Sequence, residues 1–255
     1  MSDPFYVVLL LLSGLGVGSF LNVCIHRLPR GESIAFPSSH CPDCGRTLDW
    51  CETVPVLSFL WLGGRCRTCQ GSIRFYYPVI ELLTPLLFLL QYGQHGWQSL
   101  LIVRLVFVSG MLVLFMIDLN HRILPNVITV PGVCLGLVLS HVYGIGFSSA
   151  VLGVASGAGL SLLIAQLYVW IRREEGLGMG DVKMLGMIGA FLGWQSTLLT
   201  LFLASLFGSL IGLVVLAFRY GDRRYPLPFG SFLAVAAIVT TFIGEPLIVW
   251  YRSFL

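Results

Sequence analysis

Charge is what this chain has least of. Only 11% of its 255 residues are Asp, Glu, Lys or Arg, against about 25% in an ordinary globular domain. A water-soluble body of this size could not cover its outside with so few charges while 56% of its residues are hydrophobic. The same richness in apolar residues excludes a disordered chain. A net charge of +3 is too small for a typical nucleic-acid binder. There is no internal repeat and no low-complexity tract. A dinucleotide loop is also missing: Gly14-Leu-Gly16-Val-Gly18 resembles a fragment of one, but it lies within an apolar run with no strand before it. Small residues there suit close helix packing instead.

What remains is an all-α polytopic membrane protein. A spanning helix needs roughly 20 mostly apolar residues. Such runs fall at about 5–25, 78–92, 98–117, 124–143, 148–171, 182–194, 197–218 and 229–251, which predicts about eight transmembrane helices. The first has no basic stretch before it and no clear small-x-small cleavage site, so it reads as a retained span. Thirteen of the fifteen basic residues lie in the loop 26–77 or in alternate later connections, at Arg122, at Arg172, Arg173 and Lys183, and at Arg219, Arg223 and Arg224. The intervening connections, near Gly93–Gly96, Gly144–Gly146 and Gly193–Gln195, carry none. By the positive-inside rule the basic loops face the cytosol and both termini lie on the other side. The chain divides into a first span (1–25), a cytosolic loop (26–77) and a helical bundle (78–255).

The loop holds two C-x-x-C pairs, Cys41-Pro-Asp-Cys44 and Cys66-Arg-Thr-Cys69. Each pair offers two thiolates from one tight turn, and together they complete a tetrahedral Zn²⁺ shell with no position left for water. That marks a structural site, whose metal supplies the energy to order a polar loop with little apolar area. Gly45 and Gly71 are expected to provide the permissive backbone of the two turns. A cytosolic location disfavours disulfides; another soft metal could take the place of zinc, and redox dithiols or unliganded cysteines are the other readings. Cys24 and Cys134 lie in apolar runs and read as packing residues; Cys51 has no assigned role.

Acidic residues beside spans are candidates for function. Asp118 ends the third apolar run, and Asp181 stands just before the sixth, behind Gly178-Met-Gly180. The predicted topology puts both at the cytosolic membrane edge, where they can meet. Two sheltered carboxyls in proximity share a proton, one activating water while the other hydrogen-bonds a scissile carbonyl. Plainer readings make Asp181 the N-cap of a helix starting at Val182 and Asp118 the i,i+4 partner of Arg122. Glu81 and Glu245 have no same-side acidic partner and are not expected to be catalytic. The rival functional classes are an ion- or proton-coupled transporter using the two aspartates and a non-enzymatic scaffold with a zinc loop.

The chain resembles the bacterial type IV prepilin peptidases, also called prepilin leader peptidase/N-methyltransferases, over nearly its full length. The resemblance rests on Gly18-Ser-Phe-Leu-Asn-Val-Cys-Ile-His-Arg-Leu-Pro29, the double C-x-x-C loop, Tyr77-Pro-Val-Ile-Glu-Leu-Leu83, Asp118 with Leu-Pro-Asn following, and the GxGD box at 178–181. It implies a bacterial inner-membrane aspartyl protease with Asp118 and Asp181 as its catalytic pair and Gly178 and Gly180 supporting them. Its substrates would be prepilins or the pseudopilins of type II secretion, cleaved at the cytosolic face. It further implies methylation of the new N-terminal amine from S-adenosylmethionine, with the loop 26–77 as the methyltransferase part. The sequence itself reveals no S-adenosylmethionine site. Membrane lipid is the other expected partner, and nucleic acid is not expected. One departure stands out: Pro228-Phe-Gly-Ser231 where the family pattern leads one to expect Pro-Phe-Gly-Pro. It is expected to relax one turn and to touch neither aspartate nor cysteine.

Overall fold

The structure is a computed structural model that describes residues 3–143, 145–173, 176–218 and 228–253. Three of the basic residues that orient the predicted topology, Arg219, Arg223 and Arg224, lie outside the described residues, as does Gly144 in one of the uncharged connections. Among the described residues all extended elements are helices, with two isolated β-bridges between them. In chain order they are α1 (Pro4–Arg27), α2 (Leu57–Trp61), α3 (Tyr76–His95), α4 (Ser99–His121), α5 (Asn126–Tyr143), α6 (Phe147–Val154), α7 (Leu160–Arg172), α8 (Met179–Phe218) and α9 (Phe229–Arg252). A π-turn, Ala155–Gly159, joins α6 to α7 without a break. The chain forms two compact units, Met1–Leu101 and Ile102–Leu255.

Among the described residues five helical stretches are long and apolar enough to cross a membrane: Pro4–Arg30, Ser99–His121, Phe147–Arg172, Met179–Val215 and Phe229–Tyr251. The difference from the eight expected runs has local causes. α3 is diluted by Glu81, Gln91 and Gln94, and α5 is a shorter apolar helix. The fourth stretch holds two expected runs, because α8 is interrupted at Gly193 (φ 77°, ψ 171°). A side chain there would meet the Ser149 hydroxyl at 2.6 Å, so the break needs glycine for its backbone and for space. The chain reverses at this point. Thr200 hydrogen-bonds Thr240 of α9 at 3.1 Å, and a Cβ on Gly208 would lie 3.5 Å from Phe232, so 194–218 runs antiparallel to α9.

In the first unit α1 packs on α3 through the glycines that sequence alone assigns to packing. A Cβ on Gly14 would lie 2.5 Å from the Pro85 backbone, and one on Gly18 2.8 Å from that of Glu81. Asn22 donates to the Tyr77 carbonyl at 3.0 Å, and Tyr6 stacks on Trp97 with ring centroids 4.3 Å apart. At the far end of α1 the buried Arg27 donates to the carbonyls of Ser33, Pro37 and Ser38, gathering the start of the polar loop.

The second unit has its core between α4 and the first half of α8, where Phe107, Met111, Leu114, Ile117, Met184, Leu185 and Ile188 are fully buried. α6 meets the first half of α8 backbone to backbone at Gly153 and Gly189. Such contacts between small residues suit helices in lipid, where no hydrophobic force drives them together. The outward residues are equally apolar: Leu12, Leu86, Phe202, Leu213 and Val249 are all exposed, which fits a lipid environment and not water.

The Gly153–Gly189 contact generates a stability prediction. Gly189→Ala forces the two helices apart and lowers stability by roughly 1–3 kcal/mol, read as a lower thermal midpoint in detergent. Gly16→Ala, with no neighbour within 4 Å, leaves the midpoint unchanged or slightly raised. Equal midpoints for Gly189→Ala and wild type would contradict the packing.

Candidate active site and metal centre

Three helix ends converge in the second unit. α4 ends at His121, and Arg122 (φ 56°) donates its N–H back to the Asp118 carbonyl at 2.8 Å. Pro125 then prevents helical continuation before α5 starts at Asn126. Asp118 therefore sits in the last turn of α4, only 5% exposed. α8 starts at Met179, which puts Asp181 inside its first turn, with its N–H on the Gly178 carbonyl at 3.0 Å. Asp181 is thus not the N-cap of a helix opening at Val182; the glycine-rich approach has already entered the helix.

The glycines of the box are fitted to their neighbours. A Cβ on Gly180 would come 3.0 Å from the Leu124 Cβ, and one on Gly178 3.4 Å from an Asp181 carboxylate oxygen. Lys183 Nζ donates to Asn126 Oδ1 at 2.8 Å, tying the start of α8 to the start of α5. Asp118, Arg122, Gly178, Asp181, Pro228 and Phe229 line one cavity of about 500 Å³. The two aspartates that the sequence singles out are thus brought to a common space.

The third contributor corrects the sequence reading. Pro228 precedes α9, and Ser231 is its third residue, where backbone N–H groups lack a full helical partner. The Ser231 N–H donates to Asp118 Oδ2 at 2.6 Å, and its hydroxyl donates to the same oxygen at 2.9 Å. A Cβ on Gly230 would lie 3.1 Å from the Asp118 carboxyl carbon. Far from touching neither aspartate, the Pro228–Ser231 turn holds one of them. The partners are 113 residues apart, and no local pattern links them.

In the first unit the four cysteines meet as expected. The Sγ atoms of Cys41, Cys44, Cys66 and Cys69 all lie within 4.8 Å of one another, with Cys41 to Cys69 at 3.8 Å. Tetrahedral Zn–S bonds of about 2.3 Å require S···S edges of about 3.8 Å. The two turns repeat one geometry. Cys41 N–H donates to Arg46 O and Gly45 N–H to Cys41 O; Cys66 N–H donates to Gly71 O and Gln70 N–H to Cys66 O. Bridges His40–Thr47 and Arg65–Ser72 close them. N–H groups of Cys69 and Thr68 draw the Cys66 thiol down to about 6, while Cys69 beside it, against the pull of the Gly71 N–H, is pushed up to about 12 by burial and the neighbouring thiols; the crowded sulfurs do not all ionise together.

One detail differs from expectation. Gly45 (φ 71°) supplies the left-handed residue of the first turn, but in the second that position is Gln70 (φ 58°), not Gly71. A Cβ on Gly71 would meet the Asp43 carboxylate and lie 3.3 Å from Cys69 Sγ. Cys51, Cys24 and Cys134 stand outside the cluster. Arg46 and Glu52 brace the first knuckle through hydrogen bonds of 2.6 Å. Glu81 accepts the Val56 N–H at 2.7 Å, a loop contact and not a second catalytic acid. Among the described residues no strand–glycine-loop–helix unit occurs.

Comparison with known proteins agrees with this organisation. Residues 12–95 match the family profile described as the bacterial peptidase A24 N-terminal domain, and residues 105–213 match the type IV leader peptidase family. A prepilin leader peptidase/N-methyltransferase of Myxococcus xanthus is 43% identical over 84% of this chain, and the match spans 64% of that protein's length. Proteins of the same name from Pseudomonas aeruginosa (33% identical, 98% of this chain and 94% of that protein) and Aeromonas salmonicida (34%, 97% and 94%) match nearly end to end. No solved structure matches the chain.

Proposed function

The chain belongs to the type IV leader peptidase family, and from that premise we propose that it removes the leader from prepilin-type substrates at Asp118 and Asp181 and N-methylates the new N-terminal residue. The observation carrying the proteolytic assignment is that both carboxyls line a single cavity, with Asp118 held by two donors on one oxygen. A transporter or a scaffold receives no support from the family match.

The chemistry follows from the placement. Donors on a carboxylate favour its charged form, so Ser231 makes Asp118 the ionised member and the shared proton resides on Asp181. Asp118 takes a proton from water as the water oxygen bonds to the scissile carbonyl carbon. Asp181 gives its proton to the carbonyl oxygen, producing a neutral gem-diol. In collapse Asp118 passes its new proton to the departing amide nitrogen while Asp181 recovers one from the diol, and the C–N bond breaks. No covalent enzyme intermediate is required, and the carboxyls end in their starting states. When bound, S-adenosylmethionine would supply the methyl group that the freed amine accepts in exchange for a proton.

The reading includes a topology of eight spans in a bacterial inner membrane, with both termini periplasmic and the two aspartates at the cytosolic face. The break at Gly193 and the basic residues of the loop 26–77 support it. Cys41, Cys44, Cys66 and Cys69 hold a structural zinc that closes the two knuckles of that loop, the part assigned to methylation.

Three outcomes are expected. Asp118→Asn and Asp181→Asn each reduce leader cleavage by about 10²–10⁴-fold while still methylating a pre-cleaved substrate; normal cleavage by either variant would refute the dyad. Ser231→Ala keeps the N–H and loses the hydroxyl, so kcat drops about tenfold, the equivalent of one charge-assisted hydrogen bond. KM stays unchanged and Ser231→Thr restores the rate; a wild-type kcat for Ser231→Ala would remove Ser231 from the mechanism. Finally, metal analysis finds one zinc per chain in the wild type and little in Cys41→Ser or Cys69→Ser, with methylation impaired more than cleavage. Equal metal in variant and wild type would overturn the tetrathiolate site.

A further inference from the structure

The polar loop contains an apolar surface that neither the zinc site nor the catalytic pair uses. α2 exposes Leu57, Leu60 and Trp61, the last at 86%, and Phe75 just before α3 is 73% exposed. In a loop standing free in the cytosol these side chains would face water together, which soluble surfaces avoid.

Two contacts fix where α2 lies along α3. The Val56 N–H, immediately before α2, donates to Glu81 Oε2 at 2.7 Å. Glu81 is four residues along α3 from Tyr77, a distance of about 6 Å at 1.5 Å rise per residue. The aromatic ring of Phe59, within α2, meets Phe75 edge-on at 6.4 Å. Phe75 heads a row continued by Val79, Leu82, Leu86 and Leu90, all exposed, at the four-and-three spacing of one helix face. With α3 taken as a span, as in the proposed eight-span topology, that row is its outward face and the apolar surface of α2 continues it towards lipid.

The backbone supports the same placement. Val56 has φ 62°, a region that β-branched residues avoid, and it turns the chain into α2 at the point where Glu81 holds it. Tyr76 and Tyr77 stack at 4.7 Å, and tyrosines of this kind occupy membrane–water boundaries. From Val56 to Ile80 there are three arginines (Arg65, Arg67 and Arg74) and no Asp or Glu, which suits anionic phospholipid headgroups.

We infer that α2 with Phe75 is an interfacial membrane anchor, lying in the headgroup–acyl boundary beside α3 and holding the two cysteine knuckles against the bilayer surface. Interfacial helices settle about 5–10 Å into that boundary, and Glu81, which holds Val56, lies about 6 Å along α3 from the Tyr76–Tyr77 pair. The inference rests on α3 being a span and is independent of the assignment of Asp118 and Asp181.

Tryptophan quenching tests it on the intact protein in phosphatidylethanolamine/phosphatidylglycerol vesicles. Trp61→Phe removes an exposed ring, so the difference between wild-type and variant emission isolates Trp61. Most of that component is expected to be lost in vesicles whose acyl chains are brominated near the headgroup, with little lost to aqueous iodide. Quenching by iodide and not by brominated lipid would put α2 in water and overturn the anchor. Quenching by neither would mean that protein covers the face, and would overturn it equally. Leader cleavage measured on the same samples is a separate readout, so its loss or persistence leaves the two claims distinguishable.

Discussion

The hydrogen bonds from Ser231 to Asp118 join the beginning of α9 to the end of α4, and the candidate active site depends on them. A carboxylate in the last turn of a helix has the wrong end of the helix dipole beside it. Two donors from the first turn of another helix offset that, and glycine at 230 lets α9 approach the carboxyl group closely. Asp181 faces the same cavity from the first turn of α8. The site is therefore made from one helix C-terminus and two helix N-termini, and its geometry is a consequence of how helices of the second unit are seated.

That seating relies on absent side chains. Gly153 and Gly189 bring α6 to α8 with backbones in contact, and Gly180 lets the start of α8 reach Leu124 beyond the end of α4. In lipid the apolar surface of a helix gains nothing by meeting another apolar surface, so close packing and satisfied polar atoms carry the specificity. The first unit follows the same rule at Gly14 and Gly18, then adds a second organising principle in the cysteine knuckles, where the proposed zinc would replace the core that a short polar loop lacks.

Much of this was legible from the residues in order. Scarce charge and long apolar runs identify a polytopic helical protein, and the cysteine spacing identifies the cluster that the structure assembles. The two aspartates stand out in the sequence because acids at span edges are rare, and they line one cavity. What escaped was contact between distant segments. Ser231 looked like a loosened turn, because nothing in its neighbourhood announces a partner 113 residues away. For Glu81 the sequence shows only that no same-side acid accompanies it; the Val56 N–H on its carboxylate is a contact across 25 residues. The left-handed residue at Gln70 was hidden for a different reason: glycine next door offered a simpler explanation, and that glycine serves space and not backbone angle.

The central claim is that one chain performs peptide cleavage and then amine methylation. The most direct measurement reconstitutes the purified protein with a prepilin-type peptide that retains its hydrophobic helix and follows the products by mass spectrometry, with and without S-adenosylmethionine. The account predicts loss of the leader in both cases and, with the methyl donor present, a product heavier by one methylene at its new N-terminus. An intact peptide after incubation with a folded preparation, across a panel of such substrates, would contradict it.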